Sequence, residues 1–159
     1  MKSEPPIIRF VDGAELSQNR VVSTDEFSVD SQAIVSCGHT CLDQKIAIVN
    51  PESLIECGGG EVGEIWVRGE SIARGYWRKS QLSKQTFNAY IANTDEEPFL
   101  RTGDLGFLQN GELFVTGRIK DVIIIRGQNH YPQDIELTVE NSHPALKPVS
   151  GAAFMVEVK

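Results

Sequence analysis

RTGDLGFLQNGELFVTGRIKDVIIIRGQNHYPQDIE, residues 101–136, decides how the rest of the chain is read. Two apolar runs, DLGFL (104–108) and ELFVTG (112–117), flank Gln109-Asn110-Gly111. Asn-Gly between apolar strands predicts a hairpin, because both residues tolerate the positive φ of a tight turn. VIIIRG (122–127) is β-branched and apolar and reads as a buried strand, followed by a tight turn over Arg126-Gly127-Gln128-Asn129. Pro132 suits the first turn of a helix, Asp134 and Glu136 sit near its positive end, and Ile135 and Val139 carry it to about His143.

Working outward, VSGAAFMVEV (149–158) reads as a final strand. Toward the N-terminus, KSQLSKQTFNAYIA (79–92) predicts a helix, with Ser80 as N-cap and Phe87, Tyr90 and Ile91 on one face. IVSCG (34–38), KIAIVN (45–50) and GEIWVRG (63–69) read as strands, the last placing Ile65 and Val67 on one face and Trp66 and Arg68 on the other. Residues 12–32 are polar without long periodicity and read as a surface insertion with room for a short hairpin or helix. The fold class expected is α/β of the mixed α+β type. A distorted antiparallel β-barrel subdomain over 37–119 precedes part of a small α+β C-terminal domain.

Bulk properties narrow the partners. Of 159 residues, 40% are hydrophobic and 23% charged, as in a globular protein, and no apolar run is long enough to span a membrane. A formal charge of −7 disfavours nucleic acid as a partner. Cys37, Cys41 and Cys57 make no even disulfide framework, so a reducing, cytoplasmic compartment is expected. Cys37-Gly-His39-Thr-Cys41 offers too few ligands for zinc, and small buried thiols in a β-region are the commoner meaning. Gly58-Gly59-Gly60 lacks the Lys and Ser/Thr of a phosphate loop.

The chemistry concentrates near the hairpin. Asp104 lies between Gly103 and Gly106, and its two acceptor oxygens match a vicinal diol such as ribose O2′ and O3′. Stabilising its own turn is the commoner task of a Gly-Asp pair, and the tripeptide alone leaves both readings open. Arg118 could reach a ribose or phosphate, or pair on the surface with Asp121. Lys120-Asp121, between two strand signals, suits either a rotating connection or an ordinary turn.

In order and spacing, GEIWVRGESIARGYW, FLRTGDLGFLQNGELFVTGRIKDVIIIRG and NHYPQDIE resemble the adenylate-forming superfamily of acyl-CoA ligases, peptide-synthetase adenylation domains and luciferases. IIIRGQNHYPQDIE and SCGHTCLDQKIAIVNPES are similar specifically to fatty acyl-AMP ligases. The resemblance implies that Asp104 and Arg118 contact the ribose of ATP and of the acyl-adenylate. It also implies that Lys120 is the hinge between a large and a small domain, and that Gly127 lies on the turn facing the thiol-acceptor channel. It divides the chain into 1–119, the C-terminal portion of the large adenylating domain, and 120–159, the hinge and first half of a mobile C-terminal domain. Residues 10–36 fall where acyl-AMP ligases carry an extra segment that packs on the C-terminal domain and disfavours coenzyme A. Ile124 stands where some acyl-CoA ligases have a lysine.

The reaction implied is activation of a fatty acid by ATP with Mg2+, then transfer of the acyl group to the phosphopantetheine arm of an acyl carrier protein serving a polyketide or non-ribosomal peptide synthase. The chain lacks the phosphate loop, the adenine-stacking segment, the acyl tunnel and the family's catalytic lysine, so it is expected to be a fragment inactive alone. Two alternatives stand: part of a fatty acyl-CoA ligase, or a non-catalytic β-rich module that binds a carrier protein or a complementary ligase domain.

Overall fold

A hairpin of β5 (Leu100–Gln109) and β6 (Glu112–Arg118) forms the spine of the chain, turned by Asn110 and Gly111 with φ of 54° and 81°. The structure, a computed structural model, describes residues 5–40 and 43–156. β3 (Lys45–Val49) and β4 (Gly63–Arg68) extend the hairpin into a four-stranded antiparallel sheet of order β3-β4-β5-β6. β1 (Ile8–Asp12) pairs with β2 (Ser31–Val35), and β7 (Ile123–Ile125) with β8 (Gln128–His130), in two further antiparallel ribbons. Three helices complete the described chain: α1 (Gly13–Leu16), α2 (Ser80–Phe87) and α3 (Pro132–Asn141). The mixed, mainly antiparallel architecture is the one expected, but the strands do not close into a barrel.

Two apolar clusters hold the sheet. Trp66, Phe99, Ala47, Val49 and Ile91 make one. Val11, Leu16, Val62, Leu105, Phe107, Phe114 and Tyr131 make the other, in which the Phe107 and Phe114 rings stack at 5.0 Å. That second cluster corrects the reading of the N-terminal segment. Val11 is wholly buried and Leu16 nearly so, which ties residues 10–36 into the core at these two points while Phe27 and Val29 stay exposed. The segment reads as polar because only a few of its side chains point inward. Asp12 caps α1 by accepting from the Glu15 N–H at 3.0 Å, and the strands on either side pair edge to edge.

The same segment meets the chain beyond Lys120. Ser17 accepts the Asn129 backbone N–H at 2.9 Å, Asn129 Nδ2 donates to Asn19 Oδ1 at 2.9 Å, and Gln32 Nε2 donates to Asp134 Oδ2 at 3.0 Å. Burial pushes the Asp134 carboxyl above its ordinary range, and the Gln32 hydrogen bond partly offsets this.

Three other expectations need correction. α2 ends at Phe87 rather than Ala92, and Lys79, not Ser80, stands at its N-cap with no side-chain hydrogen bond. Tyr90 and Ile91 follow the helix, beside Ala89, which bridges to Phe99. β7 buries only Ile123, with Ile124 and Ile125 exposed, because a two-stranded ribbon covers one face only. Residues 151–156 form no strand, since no partner ladder reaches them among the described residues; Glu136 and Glu140 accept their N–H groups instead. Cys41 and residues 157–158 of the expected strand lie outside the described residues.

Gly106 is where the sheet has no room. A Cβ there would strike the Phe114 carbonyl oxygen and the Ile65 side chain. Gly106→Ala should cost roughly 2–3 kcal/mol, read as a lower denaturation midpoint; unchanged stability would contradict the packing. The raised Asp134 carboxyl gives a signed expectation. Its protonated form is favoured by folding, so its contribution is full below the unfolded value of about 4 and is lost as pH rises through the folded value. Asp134→Asn should therefore melt higher than the native chain at neutral pH, and the gap should close near pH 3.

Candidate functional site

The site grows from a mismatch between β4 and β5. Glu64 pairs with Leu105 and Trp66 with Arg101, so Ile65 alone faces Thr102, Gly103 and Asp104. Three residues against one make a bulge, which takes backbone groups out of the ladder. Gly103 adopts φ +76°, a region that favours glycine.

Each freed group finds a partner. The Glu64 carboxylate is only 2% exposed, and its Oε1 accepts the Gly103 N–H at 3.1 Å. Its Oε2 accepts from Trp66 Nε1 at 2.9 Å and from Arg101, whose Nη2 lies 2.7 Å away. Thr102 Oγ1 donates to the Ile65 carbonyl at 2.7 Å and accepts the Asp104 N–H at 3.0 Å. The Gly103 carbonyl accepts from Ile119 at 2.9 Å.

The bulge presents Asp104 opposite Arg118, its register partner on β6. Arg118 Nε donates to Asp104 Oδ1 at 2.9 Å, and this hydrogen bond holds the guanidinium above its ordinary pKa, aided by the charges of Asp104 and Asp121. Both side chains stay accessible, at 34% for Asp104 and 62% for Arg118. A surface pair of this kind stabilises little, which leaves both groups available to a ligand. Among the described residues no donor occupies Asp104 Oδ2.

Asp104, Arg118 and Lys120 line one cleft of about 730 Å³, together with Pro132 and Glu136 of α3 and Phe154. Lys120 and Asp121 form an exposed turn closed by the Asp121 and Val122 N–H groups on the Arg118 carbonyl, at 3.0 and 3.1 Å. Gly127 does not join them. It sits at the exposed β7–β8 turn with φ +79°, and a Cβ there would meet nothing within 4 Å. Ile124 lines a different cleft, beside Asn19, Cys57 and Val122.

Three of the four singled-out residues thus meet in one place. Glu64 was passed over, although strand alternation puts it on the same face as Trp66 and Arg68, where a carboxylate among apolar neighbours is conspicuous. Cys37 is exposed and Cys57 half-buried, its thiol pushed up mainly by burial. Among the described residues no group of three or more His, Cys, Asp or Glu could hold a metal ion, and no helix is long and apolar enough to cross a membrane.

The AMP-binding enzyme family matches residues 19–77. The medium-chain-fatty-acid–[acyl-carrier-protein] ligase JamA of Moorena producens (strain JHB) is 58% identical over 146 residues, covering 91% of this chain and 25% of the relative. A chain from structural and functional studies of fatty acyl-adenylate ligases of E. coli and L. pneumophila aligns with a TM-score of 0.79 and 34% identity, over 95% of this chain and 26% of that one. The L. pneumophila fatty acyl-adenylate ligase solved with acyl adenylate and pyrophosphate aligns with a TM-score of 0.68 and 39% identity, over 98% and 27%. The chain spans about a quarter of the length of the relatives it matches. With the antiparallel sheet and its bulge, these matches place the chain in the adenylate-forming, AMP-binding enzymes, on their fatty acyl-AMP ligase side.

Proposed function

We propose that the chain supplies the ribose contact and the interdomain hinge of a fatty acyl-AMP ligase. The whole enzyme would activate a fatty acid with ATP as acyl-adenylate and pass the acyl group to the thiol of an acyl carrier protein. The observation that carries this reading is the Asp104–Arg118 pair, displayed on a bulge at the mouth of a cleft that also takes Lys120.

Each residue has a task. Asp104 accepts the O2′ and O3′ hydroxyls, using Oδ2 and the remaining lone pairs of Oδ1. Arg118 fixes the carboxylate and offers further N–H donors to the ribose or its phosphate. The hydrogen bonds hold the nucleotide still and make no covalent change; their contribution is orientation. Lys120-Asp121 is the joint about which residues 121–156 turn, and Gly127 faces the incoming thiol in the rotated state. The domain division at residues 119 and 120 belongs to the same proposal. The magnesium ion of the reaction would be held largely by residues outside this chain, since among the described residues no group of three or more His, Cys, Asp or Glu could hold a metal. Similarity to an acyl-carrier-protein ligase favours the carrier thiol over coenzyme A as acceptor.

The nucleotide contact is tested at Asp104. In the full-length gene product, Asp104→Ala should reduce ATP affinity and fatty-acid-dependent pyrophosphate exchange about a hundredfold, the scale of two charge-assisted hydrogen bonds. Wild-type exchange in that variant would reduce Asp104 to a turn residue.

Restraint of the hinge by residues 10–36 has a separate test. Deleting the segment would strip Val11 and Leu16 from the core, so the contacts themselves are the better target. Gln32→Ala with Asn19→Ala removes both side-chain hydrogen bonds to the chain beyond Lys120 and leaves the buried residues alone. Acyl-adenylate formation should persist, while acyl transfer to free coenzyme A should rise roughly five- to thirtyfold, as expected for a population shift of one to two kcal/mol. Coenzyme A transfer at background would place the restraint elsewhere.

A further inference from the structure

We propose that Glu64 is the positioning residue for the Asp104 ribose contact, a role that rests on the ribose reading above. Glu64 lies thirty-nine positions before Gly103 in the chain and is almost wholly buried, yet it is the acceptor that fixes the Gly103 N–H. Gly103 precedes Asp104 directly and carries the left-handed φ that aims it. Without an acceptor at Glu64 Oε1, the Gly103 N–H has no partner inside the bulge, because Ile65 is the only residue opposite and its carbonyl already accepts from Thr102.

The other carboxylate oxygen explains why the side chain stays put. Arg101 and Trp66 hold Oε2, and the Arg101 guanidinium stacks at 5.4 Å over the Trp66 ring. Trp66 is itself wholly buried against Phe99 in the core. The core therefore fixes Trp66, Trp66 and Arg101 fix Glu64, Glu64 fixes Gly103, and Gly103 sets the direction of Asp104. A carboxylate is required at the centre. It offers two acceptor oxygens and no donor, and every group around it is a donor. Glutamine would turn an NH₂ either onto the Arg101 and Trp66 donors or onto the Gly103 N–H.

The test uses the full-length gene product and two measurements, the hydrogen exchange of the Gly103 amide relative to the other β5 amides, and titration with AMP against 2′,3′-dideoxy-AMP. The native protein should prefer AMP by about a hundredfold, the scale of the two charge-assisted hydrogen bonds that its hydroxyls make to Asp104. Glu64→Gln should keep the sheet, speed exchange at Gly103 selectively by about tenfold or more, and bring the AMP preference down toward unity. If Glu64→Gln does not fold, Glu64→Asp decides by the same measurements, since it keeps the charge beside Arg101 but is one carbon too short for Gly103. Native exchange at Gly103 together with native preference, in whichever variant folds, overturns the proposal. So does a variant that melts earlier while both readouts stay native, since that is a structural role only. Asp104→Ala with its AMP preference intact would remove the ribose reading. The exchange of Gly103 then decides by itself whether Glu64 holds the turn.

Discussion

Three residues of β5 stand opposite one residue of β4, and the rest of the structure is organised around satisfying the backbone groups that this mismatch releases. A buried N–H with no acceptor costs about 1–3 kcal/mol, enough to close the bulge if nothing met it. The acceptors come from both sides: Glu64 from the sheet behind, Thr102 from within the bulge. Placing a carboxylate in the core is itself costly unless it is paired. Arg101 pairs with it, and the aromatic faces of Trp66 and Phe99 are bordered by Arg101, Arg68 and Lys45. Lys45 and Arg68 in turn hold Glu96, whose carboxyl lies below its ordinary range chiefly through the Lys45 hydrogen bond. The apolar cluster around Trp66 is thus ringed by cations.

The sequence made the local part of this legible. Asn110-Gly111 announced a hairpin because a two-residue turn with positive φ has few other solutions, and the strands on both sides are where alternation put them. Asp104 and Arg118 were legible as types, a carboxylate and a guanidinium at strand ends. Their pairing follows from register across fourteen residues, which the hairpin turn fixes. Glu64 was not legible as a partner of Gly103, since nothing local links positions thirty-nine apart. Val11 and Leu16 were missed for a related reason. Two inward side chains in a polar segment make no period, and their burial depends on Phe107, Phe114 and Tyr131, far along the chain. The expected C-terminal strand had the right composition and no partner, and composition cannot supply a ladder: Val149 and Phe154 remain 96% and 75% exposed.

The proposed ribose contact and the proposed hinge share one short piece of backbone. The Ile119 N–H donates to the Gly103 carbonyl, so the residue before Lys120 is bonded to the residue before Asp104. One position earlier, Arg118 donates its side chain to Asp104 and its carbonyl accepts from Asp121 and Val122. On the proposed roles, a rotation about Lys120 would start from a fixed point at the Asp104–Arg118 pair, the proposed ribose contact. On the far side of the turn Tyr131 packs where a Cβ at Gly117 would stand, 2.6 Å from its Cδ1. The ring is 4% exposed, and burial raises its hydroxyl above the ordinary tyrosine range. Tyr131 belongs to the same cluster as Val11 and Leu16, so the chain beyond the turn is seated on the sheet and on the N-terminal segment together. If residues 121–156 turn as proposed, Tyr131 would have to leave that cluster. The proposed joint would thus be bounded on one side by the Ile119–Gly103 backbone hydrogen bond and on the other by the buried Tyr131 ring.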